Sequence, residues 1–309
     1  WCCLVGSEMC IRDSYLAAGV SGLTNIVGLF FVKEYLDLSA AFLAGLGFWA
    51  GLPWVLKMPL GHIVDLIWKF KSILVFFGAL IMAISSLIMY FLIAHKEEMI
   101  SVLNAETWFI ISTLLAPIGF VLQDVVADAL TVEAIPKTDE KGNEIDFKTL
   151  KSLNVVMQLL GRVSIISGTL IVSFINLIMF SDSSEMSDNE KIVTYGKIYL
   201  YSLIVPIISI MGVVFSYISS KSRLNKLIKN GLPFEKAFNL IYPVLKATKP
   251  NKSIITGSII FVIFTLSIGI SKIPFSQEIV FIGSFLIIVY LLMALSNQLD
   301  AVSKRMLIG

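Results

Sequence analysis

The run Ile73-Leu74-Val75-Phe76-Phe77-Gly78-Ala79-Leu80-Ile81-Met82-Ala83-Ile84-Ser85-Ser86-Leu87-Ile88-Met89-Tyr90-Phe91-Leu92-Ile93-Ala94 decides the fold. It holds no charged residue and exceeds the roughly twenty residues that a helix needs to cross a hydrocarbon core about 30 Å thick. A strand would cross in about ten residues and would alternate apolar with polar, which this run does not do. Similar runs recur along the 309 residues, with charges swept into the gaps between them. The composition agrees: 57% of residues are hydrophobic, 15% are charged, and the mean hydropathy is +0.86. Disorder and a soluble enzyme are excluded on these figures. A net charge of +2 lacks the basic excess of a nucleic-acid binder, so no nucleic-acid partner is expected. The lipid bilayer is the expected solvent.

Eight spans are predicted on length and hydropathy: Tyr15 to Val32, Ala40 to Leu60, Ile73 to Ala94, Trp108 to Val132, Leu153 to Phe180, Ile198 to Ser219, Ile254 to Ile270 and Ile279 to Leu295. Gly45, Gly47, Gly51, Pro53, Pro59, Pro117, Gly161, Gly168 and Pro206 lie inside them, as close packing and kinks in a membrane bundle allow. With Tyr15 starting in the cytoplasm, the alternate loops hold sixteen Lys and Arg inside against five outside. Eight of the sixteen fall between Lys221 and Lys252. Both ends are therefore expected to be cytoplasmic, in a multi-pass protein of a bacterial inner (plasma) membrane.

Residues 1–14 read differently. From Cys3 to Ser14 they resemble the translation of a transposase-type sequencing adapter, whose end reads Met9-Cys10-Ile11-Arg12-Asp13 in this frame. Setting them aside removes Cys2, Cys3 and Cys10, the three cysteines of the chain, and with them disulfides, thiol catalysis and thiolate metal sites. The expected organisation is then a six-helix bundle over residues 15–219, a basic cytoplasmic linker over 220–252, and two further spans over 253–309 that open a second half. This is the layout of an incomplete two-bundle carrier. Within the linker, Phe234 to Tyr242 has the spacing of a helix lying on the membrane surface or of a plain solvated connector. No internal repeat between the first and fourth spans survives counting.

Ionised side chains at membrane depth cost a few kcal/mol each, so those present mark function or a structural lock. Four qualify: Lys57 in the second span, Asp124 and Asp128 in the fourth, and Arg162 in the fifth. Asp124 and Asp128 are four residues apart and share a helix face, about 40° apart around the axis. Two acids against two bases make a self-neutralising set, predicted to gather at one water-accessible cavity. The alternatives are an ion-pair lock between helices and, for Lys57, snorkelling to the interface. His62 and His95, in loops on opposite sides, offer no metal spacing and read as ordinary interfacial residues. No cofactor or metal is expected. Neither is an enzyme, since the sequence holds no nucleophile with a base, no metal cluster and no phosphate loop.

After the second span, Gly61-His62-Ile63-Val64-Asp65-Leu66-Ile67-Trp68-Lys69-Phe70-Lys71 resembles the Gly-x-x-x-Asp plus basic signature of major facilitator carriers. Gly61, Asp65, Lys69 and Lys71 are the expected gating loop. Leu52 to Lys57 with Gly61 and Asp65, together with Asp124-Val125-Val126-Ala127-Asp128-Ala129-Leu130-Thr131-Val132-Glu133, resembles the folate-biopterin transporter family of the major facilitator superfamily. Gly19, Gly22, Phe30, Phe31, Lys33 and Leu38 add to the likeness, which covers roughly residues 15–173. Met58 departs from it, standing where the family usually has proline directly after lysine. The resemblance implies an all-α membrane bundle of the major facilitator type and secondary active transport of a folate- or pterin-like organic anion by alternating access. Arg162 would take the anionic tail. Asp124 and Asp128 would hold an aminopyrimidine-like edge or the coupling proton, and Lys57 would tune that pair or belong to the inner gate. Other readings are a proton-linked carrier of a sugar, peptide or drug, and a non-transporting pigment-delivery or membrane-assembly factor.

Overall fold

The computed structural model describes residues 15–24, 27–28, 39–67, 70–133, 145–181, 186–231, 233–241, 250–271 and 273–297. Among these, helix dominates and no residue lies in a strand. The elements are α1 (Ala40–Gly51), a 3₁₀ segment (Leu52–Leu56), α2 (Lys57–Leu66), α3 (Lys71–Ala94), α4 (Lys96–Val102), α5 (Ala105–Glu133) and α6 (Phe147–Met179). They continue with α7 (Asp188–Ser202), α8 (Ile204–Lys229), α9 (Phe234–Ile241), α10 (Lys252–Ile270) and α11 (Ser276–Ser296). Among the described residues, six helical stretches are long and apolar enough to cross a membrane, and α1 with α2 makes a bent pair that adds a seventh if it counts as one broken span. The protein is an all-α polytopic membrane bundle. The predicted first span is described only in part: residues 15–20 are helical, and residues 29–32 lie outside the described set. So do residues 1–14 and, of the residues named above, Phe30, Phe31, Lys33, Leu38, Trp68, Lys69 and Tyr242.

Local signals start the helices where the sequence places polar residues. Ser39 caps α1 by accepting from the Phe42 N–H, Asp146 caps α6 through the Thr149 N–H, and Asn251 caps α10 through Ser253 and Ile254. Ser187 and Glu190 form a reciprocal capping box at α7. That box begins the helix at Asp188, outside the predicted span start at Ile198, and α8 runs on through Lys229 past the predicted end at Ser219. The segment after the predicted second span is not a loop as expected. Gly61 and Asp65 lie on α2.

In lipid, apolar burial supplies little force between helices, so close backbone approach and hydrogen bonds hold them together. α3 is central, packing on α5, α7 and α8. It meets α5 at Gly78 and Gly119, where a methyl on Gly78 would lie 2.6 Å from the Gly119 carbonyl oxygen. Two turns further along, Ser85 Oγ donates to the Ser112 carbonyl at 2.8 Å and Ser112 Oγ to the Ser85 carbonyl at 2.9 Å. Gln123 of α5 reaches both neighbours, donating to the Val75 carbonyl of α3 and accepting from Ser209 Oγ of α8 at 2.8 Å. Val64, Val75, Val121, Val125 and Val126 fill the apolar space around it. α6 stands apart from this core and packs against residues 15–20. There a methyl on Gly168 would lie 2.7 Å from the Leu16 carbonyl oxygen and one on Gly161 would meet the Tyr15 ring.

Candidate functional site

The second span breaks where its charge sits. Pro53 and Pro59 lack the N–H that a continuous helix would need, so each restarts the helix and lies in a first turn. Between them the chain tightens to 3₁₀ geometry, and α1 and α2 meet at a bend of 41°. Lys57 lies at that bend, as the last cap of the 3₁₀ segment and the first residue of α2. Broken helices at membrane depth are tolerated where they are buried in protein or line a cavity, and they are frequent hosts of binding sites.

From the break, Lys57 reaches across to α5. Its Nζ lies 2.6 Å from Asp124 Oδ2 and 2.6 Å from Asp128 Oδ2. The shared helix face of the two acids, expected from their spacing, is thus turned toward one ammonium. The Lys57 ammonium also stands 5.9 Å from the centre of the Trp54 ring. On the far side, the Tyr15 hydroxyl donates to Asp128 Oδ1 at 2.6 Å. Both oxygens of Asp128 are therefore engaged. Among the described residues no donor meets Asp124 Oδ1.

The two carboxylates differ in their access to solvent. Asp124 is 13% exposed, whereas Asp128 and Lys57 are 43% and 37% exposed. Asp128 faces the open side of the cluster and Asp124 its closed side, beside the buried Gln123. With one ammonium for two carboxylates, the ionised cluster carries an uncompensated negative charge. A proton or another cation is the simplest species to balance it.

Arg162 does not join. It is exposed on α6, and no ion pair links it to Lys57, Asp124 or Asp128. The expected set of two acids and two bases in contact is corrected to two acids and one base. The reason is azimuthal: Gly161 is buried against the Tyr15 ring, and the next residue on a helix points about 100° away. Of the expected gating residues, Gly61 is half-buried, Asp65 is exposed on α2 outside the Lys57 cluster, Lys71 begins α3, and Lys69 lies outside the described residues. His62 is not an ordinary interfacial residue. It is buried, and its Nε2 accepts the Asn251 backbone N–H at 2.8 Å, tying α2 to the start of α10. His95 is exposed beside Glu98.

Tyr15, Trp54, Gln123 and His62 had no role in the sequence reading. Trp54 lies three residues before Lys57 and Gln123 immediately before Asp124, so proximity to an intramembrane charge was the available signal for both. For Tyr15 and His62 the partners lie 113 and 189 residues away, and no local pattern announces them. Compared with protein-family models, curated proteins and solved structures, the chain finds no match.

Proposed function

We propose that the protein is a secondary active transporter of the major facilitator type, moving a folate- or pterin-like organic anion with protons by alternating access. The observation that carries this reading is the cluster at the broken span: Lys57 held between Asp124 and Asp128, with Tyr15 closing the far side. A lysine shared by two acids at membrane depth has alternative arrangements, differing in which carboxylate it pairs with and which one holds a proton. Moving between them transfers charge without exposing an unpaired ion to lipid. Such rearrangement is what coupling a proton to a conformational change requires.

The family resemblance of residues 52–65 and 124–133 supports the solute class, and the lysine-rich segments after α5 and α8 support cytoplasmic ends in an inner membrane. A sugar, peptide or drug as the solute would leave the coupling cluster with the same work. A second reading, a lock that fastens α2 to α5, is favoured by one feature: Lys57 already meets both acids.

Uptake of labelled folate or biopterin by cells expressing the complete gene separates these readings. Transport predicts uptake that rises as external pH falls, is abolished by an uncoupler, and loses its pH dependence in Asp124→Asn. A lock predicts that Asp124→Asn leaves any uptake and its pH dependence unchanged.

A further inference from the structure

α8 changes character toward its C-terminus. Up to Ile218 its exposed side chains are apolar, Val214, Phe215 and Ile218 among them, and Tyr217 stands exposed where the aromatic belt of a bilayer interface would lie. Beyond Ser219 the helix runs on for about 15 Å to Lys229, and its exposed residues there include Lys221, Lys226 and Lys229. The chain then turns at Gly231, whose φ of +89° is the left-handed backbone that favours glycine. That turn lets α9 pack back on α8.

α9 has only eight residues, too few to hold a helix in water without a packed face. Phe234, Ala237 and Phe238 stand at i, i+3 and i+4 and share one side of it, with Lys236 opposite. Ala237 is fully buried. Phe234 and Phe238, however, are 62% and 40% exposed beside it, their ring centres 5.7 Å apart. A small helix that buries an alanine and leaves two aromatic rings outside needs a further cover for them. The surrounding charge restricts what that cover is. Between Lys221 and Lys252 the chain carries eight basic residues and a single acid, Glu235. A surface of anionic phospholipid supplies both negative headgroups and an apolar layer beneath them, and it lies where the last apolar turn of α8 leaves the hydrocarbon.

We infer that the end of α8 and α9 together form a docking site for anionic phospholipid, in which Phe234 and Phe238 enter the interface and Lys221 and Lys226 pair with headgroup phosphates. This selects the membrane surface over a solvated connector for the segment and assigns it a lipid class. The inference is independent of the transported solute. The cytoplasmic placement proposed above sets the site against the more anionic leaflet, and binding there would fasten the linker between the bundle and α10 to the bilayer.

Fluorescence in lipid nanodiscs tests this without measuring transport, and a symmetric disc makes the result independent of orientation. In a chain with Cys2, Cys3 and Cys10 replaced by serine, one cysteine is placed at Phe238→Cys or, as a control at the turn, at Asn230→Cys. Each carries a nitrobenzoxadiazole label and is titrated with acrylamide, a neutral quencher, in discs of phosphatidylcholine alone or with about a third phosphatidylglycerol. In the anionic discs the ratio of protected to quenchable label should be at least about tenfold higher at position 238 than at 230. Each lysine near an anionic surface is worth about fivefold in such an equilibrium, so Lys221→Gln with Lys226→Gln should lower the ratio at position 238 about 25-fold. Lys221→Arg with Lys226→Arg should keep it, and salt at about 1 M, which screens charges beyond about 3 Å, should weaken it. A label at position 238 as open to acrylamide as the one at 230 would overturn the inference. So would equal protection in both lipids that is indifferent to salt, because that is apolar docking without recognition of a headgroup. Protection that appears only when cytosolic protein is added would assign the surface to a protein partner and reject the lipid.

Discussion

Lys57 answers two carboxylates with one charge, and its neighbours show how that imbalance is held. Asp128 has Tyr15 as a second partner, and Asp124 has the less exposed environment. Removing the lysine leaves two acids facing each other at membrane depth. Lys57→Met should therefore destabilise the bundle by about 1–3 kcal/mol, less than a fully buried pair would lose because the lysine is a third exposed. Thermal unfolding in detergent measures this, and Asp124→Asn in the same chain should recover part of the loss by removing one of the acids. Tyr15→Phe keeps the ring against Gly161 and deletes only the hydroxyl, so it should cost about 1 kcal/mol. Any change it makes to the pH profile of uptake would come from Asp128. The acids and the lysine were legible in the sequence because charge is expensive in lipid. Their depth was legible from hydropathy, but the direction in which each side chain points was not. Arg162 shows the limit: one residue from a packing glycine, it was placed with the acids by depth and turned away from them by helical phase.

At the scale of the element, the break in the second span is set by Pro53 and Pro59 and presents Lys57 to α5. Pro59→Ala would let the helix run on through residue 57 and shift the ammonium off its two partners. Stability should change little, since a proline in a first turn is tolerated and its N–H would have no partner there, while uptake should fall. A protein that loses stability and keeps its uptake would show that the bend has no part in the mechanism. The contact between residues 15–20 and α6 depends on glycine. Gly168→Leu would drive a side chain into the Leu16 carbonyl and should cost at least about 1–3 kcal/mol, read by the same melting assay. At the start of α6, hydrogen bonds from the Thr149 side chain and then its backbone N–H hold the exposed Asp146 carboxyl below its usual range. The cap is therefore fully effective above the ordinary carboxylate pKa and is lost as pH falls through the lowered value. Asp146→Asn should make fraying of this helix end, followed by hydrogen exchange, insensitive to acid. Spans such as Ile73–Ala94 were readable because an uncharged run of that length has one solution in lipid. The extension of α7 and α8 beyond the predicted span was less visible, because polar helix outside the hydrocarbon has no hydropathy signal.

Across the whole molecule, charge is sorted rather than cancelled. A carboxylate pair with one lysine lies between α2 and α5, Lys151 and Arg162 are exposed on α6, and a buried histidine joins α2 to the start of α10. The all-helical bundle follows from the length and spacing of the apolar runs. The site required long-range pairings, Tyr15 with Asp128 and His62 with Asn251, that chain order does not encode locally. Uptake under an imposed proton gradient tests the account most directly, with the wild type and Asp124→Asn compared in the same cells expressing the complete gene. The account predicts accumulation of labelled folate or biopterin that follows the gradient in the wild type and is lost, or no longer follows it, in Asp124→Asn. Equal, gradient-driven accumulation in both would contradict it.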